Sequence, residues 1–181
     1  MNKRTEIRFT GSGGQGLILA SIILAEAALS DSLHAAQSQS YGPEARGGMC
    51  KAELVIAHEE IDYPKVENAD CLLTLNQVSF DKYSKEIGDT GVIIADSGID
   101  VTSHCSDSKI VSIDIIKTAS QVVGNEVTAN IVALGAVNEL LNVVDPDSLE
   151  RAVLKHVPKS TTDLNVRALG EGRKLTAQGS V

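Results

Sequence analysis

Residues 11–16 read GSGGQG, between the strand-like TEIRF and the apolar run LILASIILAEAALS. Glycine permits tight turns and close backbone approach, and the first turn of a helix carries N–H groups with no partner inside the helix. A strand–glycine–helix junction can therefore seat an anion, a phosphate above all. Gly11, Gly13 and Gly16 fall on the three glycine positions of GxGxxG. A nicotinamide dinucleotide would also need an acidic residue about 20 positions further on, at the end of the second strand. Asp31 has that count but lies in the helix-to-strand turn, and the strand end Gln39-Ser40-Tyr41 offers no carboxylate. That weakens the nicotinamide reading and favours a seat for some other anion. A turn that serves only helix packing is the alternative.

A second loop reads YGPEARGG. Tyr41, Gly42 and Pro43 lead in, Glu44, Ala45 and Arg46 form its centre, and Gly47 and Gly48 close it. The guanidinium of Arg46 is a planar fork suited to a carboxylate or a phosphate. A local ion pair between Arg46 and Glu44 is the plainer reading. In a doubly wound sheet, loops that follow neighbouring strands meet on one edge, where ligands bind. Two such loops on one edge favour a site. Other residues offer less. His34, His58, His104 and His156 form no metal-spaced pair, and Ser97 and Ser112 lack a nucleophile-elbow context. No GDG followed by a downstream Asn is present, so the thiamine diphosphate–Mg motif is missing. The residues assign no catalytic set and no metal site, which points to a helper subunit.

The elements that must carry these loops alternate between strand-like and helix-like segments, as in a parallel sheet covered by helices. Glu6 to Thr10 reads as a strand and Gly16 to Ser30 as a helix. His34 to Ser40, Met49 to Ala57 and Cys71 to Leu75 read as strands, and Gln77 to Ile87 as a helix ending near Gly88. Gly91 to Ala95 and Lys109 to Ile113 are further strands. Beyond Asn125 the chain turns helical: Asn130 is expected to N-cap IVALGAVNELL, Asp145-Pro146-Asp147 opens another helix, and Thr162 to Leu175 forms a last, polar one. The expected fold is α/β, a three-layer sandwich on a mostly parallel Rossmann-like sheet with a helical C-terminal part, all in one domain over residues 1–181. The helix from Leu17 is apolar nearly all round, where one lying on a sheet needs a stripe of only about 100°. Either it is buried within the sandwich or another polypeptide covers one side.

Composition narrows the function. Of 181 residues, 43% are apolar and 22% charged, as in an ordinary globular protein. With a net charge of −8 and no Lys/Arg run, nucleic acid is not an expected partner. The apolar run from Leu17 to Leu29 is interrupted by Ser21 and Glu26 and is too short for a bilayer, so no membrane association is expected. Cys50, Cys71 and Cys105 include no CxxC pair, which argues against a cysteine-held iron–sulfur cluster of the usual spacing and against a disulfide framework. With a strand beginning almost at Met1, the chain reads as cytoplasmic.

Taken together, GSGGQG, QSYGPEARGG, ADCLLTLN and GVIIADSG resemble the gamma subunit of 2-oxoacid:ferredoxin oxidoreductases. The nearest look is to the 2-oxoglutarate type, and the likeness runs from about Ile7 to Leu141. It implies a subunit of an oxidoreductase that decarboxylates a 2-oxoacid in a CoA-dependent reaction, gives an acyl-CoA and passes electrons to ferredoxin. It further implies that thiamine diphosphate, Mg and iron–sulfur clusters sit on partner subunits (alpha, beta and an optional delta), with none held by this chain alone and CoA as a substrate. Carried over by residue, Gly13, Gly14, Gln15 and Gly16 form one binding loop. Tyr41, Gly42, Pro43, Glu44, Arg46, Gly47 and Gly48 form the other, against the cofactor, the 2-oxoacid or CoA. Alone, the chain is expected to be inactive and to self-associate. A free-standing dinucleotide-binding or sensing module is the alternative.

Overall fold

A computed structural model of the chain describes residues 4–41, 48–104 and 107–178. Six strands form one sheet: β1 (Arg4–Ser12), β2 (His34–Tyr41), β3 (Met49–Ala57), β4 (Ala69–Thr74), β5 (Ile87–Asp96) and β6 (Lys109–Ile113), in the order β2-β3-β1-β4-β5-β6. β4, β5 and β6 extend β1 in parallel. β3 is antiparallel to β1 and β2 is antiparallel to β3, so β3 alone runs against the rest. The mostly parallel sheet expected from the alternation of elements is present, with a hairpin between β2 and β3 at one edge.

Side chains alternate across the pleat and divide the interior. Ile7, Phe9, Leu54, Leu73 and Ile94 lie in one core with α1 (Leu17–Ser30), α4 (Ala129–Leu141), α5 (Pro146–His156) and α6 (Thr162–Gln178). Leu72, Ile93 and Ala95 face the other way, against Phe80 and Tyr83 of α2 (Gln77–Tyr83). These are the three layers. α5 begins where Asp145-Pro146 predicts: Pro146 is its first residue, and the Asp145 carboxylate accepts the amides of Asp147 and Ser148.

The apolar girth of α1 is used inside this chain. Leu17, Ala20, Ile23, Leu24, Ala27 and Ala28 are buried between the sheet and the neighbouring helices α4 and α5, which leaves Ile22 and Leu29 exposed. α4 is buried continuously from Ala129 to Asn138.

Three local expectations are corrected. Asn130 does not cap α4. A 3-10 turn, Glu126–Thr128, precedes the helix, and Asn125 caps that turn by accepting the Val127 amide. The helix from Gln77 stops at Tyr83; a 3-10 turn, Ser84–Glu86, follows, and Ile87 already belongs to β5. The last helix has more than a polar surface, because Ala168 and Leu169 are fully buried against α4. There Gly135 and Gly172 let two backbones meet: a methyl added at Gly135 would lie 2.2 Å from the Leu169 carbonyl oxygen, and one at Gly172 would lie 1.9 Å from that of Val132. None of the described helices is long and apolar enough to cross a membrane.

Candidate functional site

The carboxyl ends of β1, β2, β4, β5 and β6 lie along one edge of the sheet, and α1, α2 and the short helix α3 (Ile115–Lys117) start there. The glycine loop at this edge is held from four sides. The Gln15 side chain folds back so that its Oε1 accepts the Ser12 amide at 2.6 Å. A methyl at Gly11 would fall 2.4 Å from that same oxygen, which is why a glycine stands next to the end of the strand. Asn76 Nδ2 donates to Ser12 Oγ at 2.7 Å, while its Oδ1 accepts the Ser79 amide and caps α2. Asn130 Nδ2 donates to the Gly16 carbonyl at 3.2 Å. The Gly13 amide donates to the Gly48 carbonyl at 2.8 Å, so the two loops predicted to share an edge are hydrogen-bonded to one another.

Gly14 and Gly16 take left-handed backbone, with φ of 100° and 72°, which only glycine adopts without strain. Gly14 is exposed, and the space where a side chain would stand is open. Gly16 caps α1 without any side-chain hydrogen bond, and the first turn of α1 has no acidic residue, so the positive end of the helix is not neutralised by its own sequence. Gly14 and Gln15 line one wall of a cleft of about 230 Å³, with Glu126 and Val127 on the other. Val127 also borders a second cleft of about 250 Å³, between α1, α4 and the loop joining α5 to α6.

Of the second loop, Tyr41 ends β2 and the buried Gly48 precedes β3, with Tyr41 in register with Cys50. Gly42, Pro43, Glu44, Arg46 and Gly47 lie outside the described residues. Asp31, the acid at dinucleotide spacing, is used structurally. Its carboxylate accepts the Asp145 amide at 2.6 Å and the Ser148 hydroxyl, tying α1 to the start of α5. Asp96, at the end of β5, is similarly engaged by the amides of Gly98 and Ile116. Cys50 and Cys71 are buried; loss of solvent pushes the Cys50 thiol up and the Cys71 thiol up to about 12. Among the described residues no three His, Cys, Asp or Glu side chains gather where they could hold a metal ion. A further cleft of about 250 Å³, lined by His58 and Asp70, lies at the opposite edge of the sheet, away from the glycine loops.

The fastening residues Asn76 and Asn130 were missed by sequence reasoning. Asn76 carries a signal, an Asn between a buried strand and a helix. Asn130 carries none, since its target is 114 residues away.

Fold and edge together define an α/β sandwich of the doubly wound class, a class in which ligands bind at the carboxyl ends of the strands. Residues 6–175 match the pyruvate ferredoxin/flavodoxin oxidoreductase family, and the chain belongs to that family. It is 43% identical to the 2-oxoglutarate synthase subunit KorC of Methanocaldococcus jannaschii, over 98% of this chain and 100% of that one. Among solved structures it is similar to the gamma subunit of a keto/oxoacid ferredoxin oxidoreductase from Geobacter sulfurreducens, with a TM-score of 0.89, 43% identity and 97% of each chain covered. It also shares its fold with part of a 2-oxoglutarate:ferredoxin oxidoreductase from Magnetococcus marinus, with a TM-score of 0.91 at 19% identity, over 99% of this chain and 32% of that one.

Proposed function

We propose that this chain is the gamma subunit of a 2-oxoacid:ferredoxin oxidoreductase complex of the 2-oxoglutarate type, acting as one domain over residues 1–181. The reading is carried by one observation: 43% identity to a 2-oxoglutarate synthase subunit along essentially the whole of both chains. In this reading alpha and beta partners, with an optional delta, hold thiamine diphosphate, Mg and the iron–sulfur clusters. Thiamine diphosphate supplies the carbanion-stabilising chemistry of decarboxylation, the clusters carry electrons to ferredoxin, and CoA takes up the acyl group. The complex is cytoplasmic.

This chain's own part is binding. In the loop Gly13, Gly14, Gln15 and Gly16 the Gly13 and Gln15 amides are spent on the Gly48 and Ser12 carbonyls, which leaves the amides of Gly14, Gly16 and the first turn of α1 as donors, and Arg46 in the second loop supplies a fixed positive charge for an anionic group of CoA or the 2-oxoacid. The hydrogen bond between Gly13 and Gly48 supports treating the two loops as one site. The engagement of Asp31 by Asp145 and Ser148 speaks against a ribose-binding acid at that position, and with it against the dinucleotide module.

The test is co-expression with the partner subunits and assay of viologen reduction with 2-oxoglutarate, pyruvate and branched-chain 2-oxoacids, each with CoA. The expected result is a complex that prefers 2-oxoglutarate, with the isolated chain inactive. Arg46→Ala is expected to raise the KM for CoA or the 2-oxoacid, or to disrupt assembly. Turnover of a 2-oxoacid by the chain alone, or its tight binding of NAD(H), would overturn the reading.

A further inference from the structure

The cleft at the amino end of β1 and β4, about 250 Å³, takes no part in the site described above. Thr5 of β1, Ala57 and His58 at the end of β3, Asp70 of β4 and the end of α4 border it. Asp70 stands where the ladder between β1 and β4 runs out. Its Oδ2 accepts the Glu6 amide at 2.8 Å, one residue before the first paired residues, Ile7 and Cys71. Its Oδ1 accepts from no group among the described residues, and Asp70 forms no ion pair with any of them. Among those residues no fully enclosed side-chain oxygen lacks a partner, so this oxygen opens onto the space its residue lines.

Charge states the kind of molecule. Arg4 is near enough to act on Asp70, but its guanidinium is committed to Glu6 at 2.7 Å and to the carbonyls of Tyr63 and Lys65. Loss of solvent, the largest influence, raises the Asp70 carboxyl above its ordinary value of 3.8. A half-buried carboxylate without a counter-ion is costly, and a cation supplied from outside would relieve it. A second observation is independent of Asp70. α4 ends at this cleft, in Leu141 and the left-handed Asn142, and its last turn has no basic residue, so its negative end is not neutralised by its own sequence. No Lys or Arg lines the cleft, and His58, at the exposed rim, makes no ion pair with Asp70. Leu33, Ile56 and Val143 make the remaining walls apolar. A carboxylate or a phosphate would be opposed here; a cation on an aliphatic stem is matched.

We propose that this cleft binds an ammonium group carried on a short aliphatic stem. Asp70 Oδ1 and the Thr5 hydroxyl accept its N–H groups, the end of α4 adds partial negative charge, and the stem lies against Leu33, Ile56 and Val143. At about 250 Å³ the cleft falls below the range of drug-sized sites, about 300–1,000 Å³, and suits a small primary amine or one lysine side chain. A free amine and a lysine of a partner subunit share this chemistry, and the test separates them. The proposal stands apart from the reading of CoA and the 2-oxoacid, because the cleft lies at the opposite edge of the sheet from the glycine loops.

The experiment is NMR titration of the full, isotope-labelled chain with n-butylammonium chloride, n-butanol and sodium butyrate, each to millimolar concentration at matched ionic strength. n-Butylammonium is expected to shift the methyls of Leu33, Ile56 and Val143 and the Glu6 amide that Asp70 holds. n-Butanol should reach the same signals roughly five- to tenfold more weakly, the difference between a charged and a neutral donor to a carboxylate. Butyrate should leave them unchanged. Asp70→Asn keeps an acceptor for the Glu6 amide, so the strand end is retained, and should lower n-butylammonium to the affinity of n-butanol. His58→Lys places a cation at the exposed rim and should weaken n-butylammonium while sparing n-butanol. Equal affinity for the ammonium and the alcohol, an unchanged affinity in Asp70→Asn, or silence at these signals overturns the assignment. Saturation-transfer NMR on the complex co-expressed with its partner subunits then identifies the source. Transfer to n-butylammonium that Asp70→Asn abolishes assigns the cleft to a free amine. Binding by the isolated chain that disappears in the complex assigns it to a partner's lysine.

Discussion

Asn130 Nδ2 donates to the carbonyl oxygen of Gly16 across 3.2 Å, joining the start of α4 to the residue that caps α1. The Gly16 carbonyl also accepts the Ala20 amide, so this one oxygen closes the first turn of α1 and anchors it to another helix. Asn130→Ala is expected to lower stability by about 1–2 kcal/mol, the cost of a buried hydrogen bond lost from one side. Amide hydrogen exchange across Gly13–Leu19 should accelerate more than exchange in β4 and β5. Uniform acceleration over the whole chain would mean that Asn130 matters for packing alone.

The crossing of α4 and α6 gives a paired test with its own control. Gly135→Ala and Gly172→Ala each place a methyl within about 2 Å of a backbone oxygen, which no rotamer change relieves. Each should cost at least about 2 kcal/mol in urea denaturation, as overpacking of a tight contact does. Gly170, in the same helix, has nothing within 4 Å of where its methyl would stand. Gly170→Ala should be neutral or stabilise by up to about 1 kcal/mol. Equal effects at all three positions would refute a backbone–backbone approach.

On the sheet face away from α1, Arg8 is buried and donates to Glu53 at 2.9 Å and to Glu86 at 2.8 Å, beneath the Tyr83 ring. Lys51 also pairs with Glu53 at 2.8 Å. Removing the guanidinium leaves a nearly buried carboxylate with one cation, so Arg8→Ala should destabilise by about 3 kcal/mol. Adding Glu53→Gln should recover a substantial part, because the stranded charge goes with it; a double-mutant cycle measures the coupling. Additive losses would show that the two residues act separately.

Glu26, on α1, accepts from Lys155 at 2.6 Å and from His156 at 2.6 Å, both near the end of α5. The hydrogen bond from Lys155 first, then that from His156, holds the carboxyl below its ordinary value of 4.5. A depressed carboxyl contributes stability above its unfolded value, and the contribution is lost as pH falls through the folded one. Glu26→Gln should therefore cost about 0.5–1 kcal/mol near neutral pH, a modest figure because solvent screens the pair. The gap to the parent chain should close below about pH 4.5. A gap that persists at low pH would assign the effect to packing.

The strands from Met49 to Ala57 and from Lys109 to Ile113 were legible to the residue, and so were the glycine junction and the Asp145-Pro146 helix start. These features are local: a turn needs its glycine, a cap needs its acceptor, and a strand shows its pleat in successive side chains. Which edge the glycine loop would occupy was also readable, because doubly wound connections leave little choice. The apolar girth of α1 was legible as a fact and not as an explanation. Only the packed chain showed that the sheet on one side and helices on the other account for most of it, with Ile22 and Leu29 left over. Asn130 reads as a cap in a local window and proves to be a clamp. Its partner is 114 residues away, and hydrogen-bond chemistry along the chain carries no address over that distance. The same holds for Gly135 with Leu169, Gly172 with Val132, and Arg8 with Glu53. The order of residues settled what each segment can form; which groups then meet was decided by packing, where one register satisfies many distant contacts together.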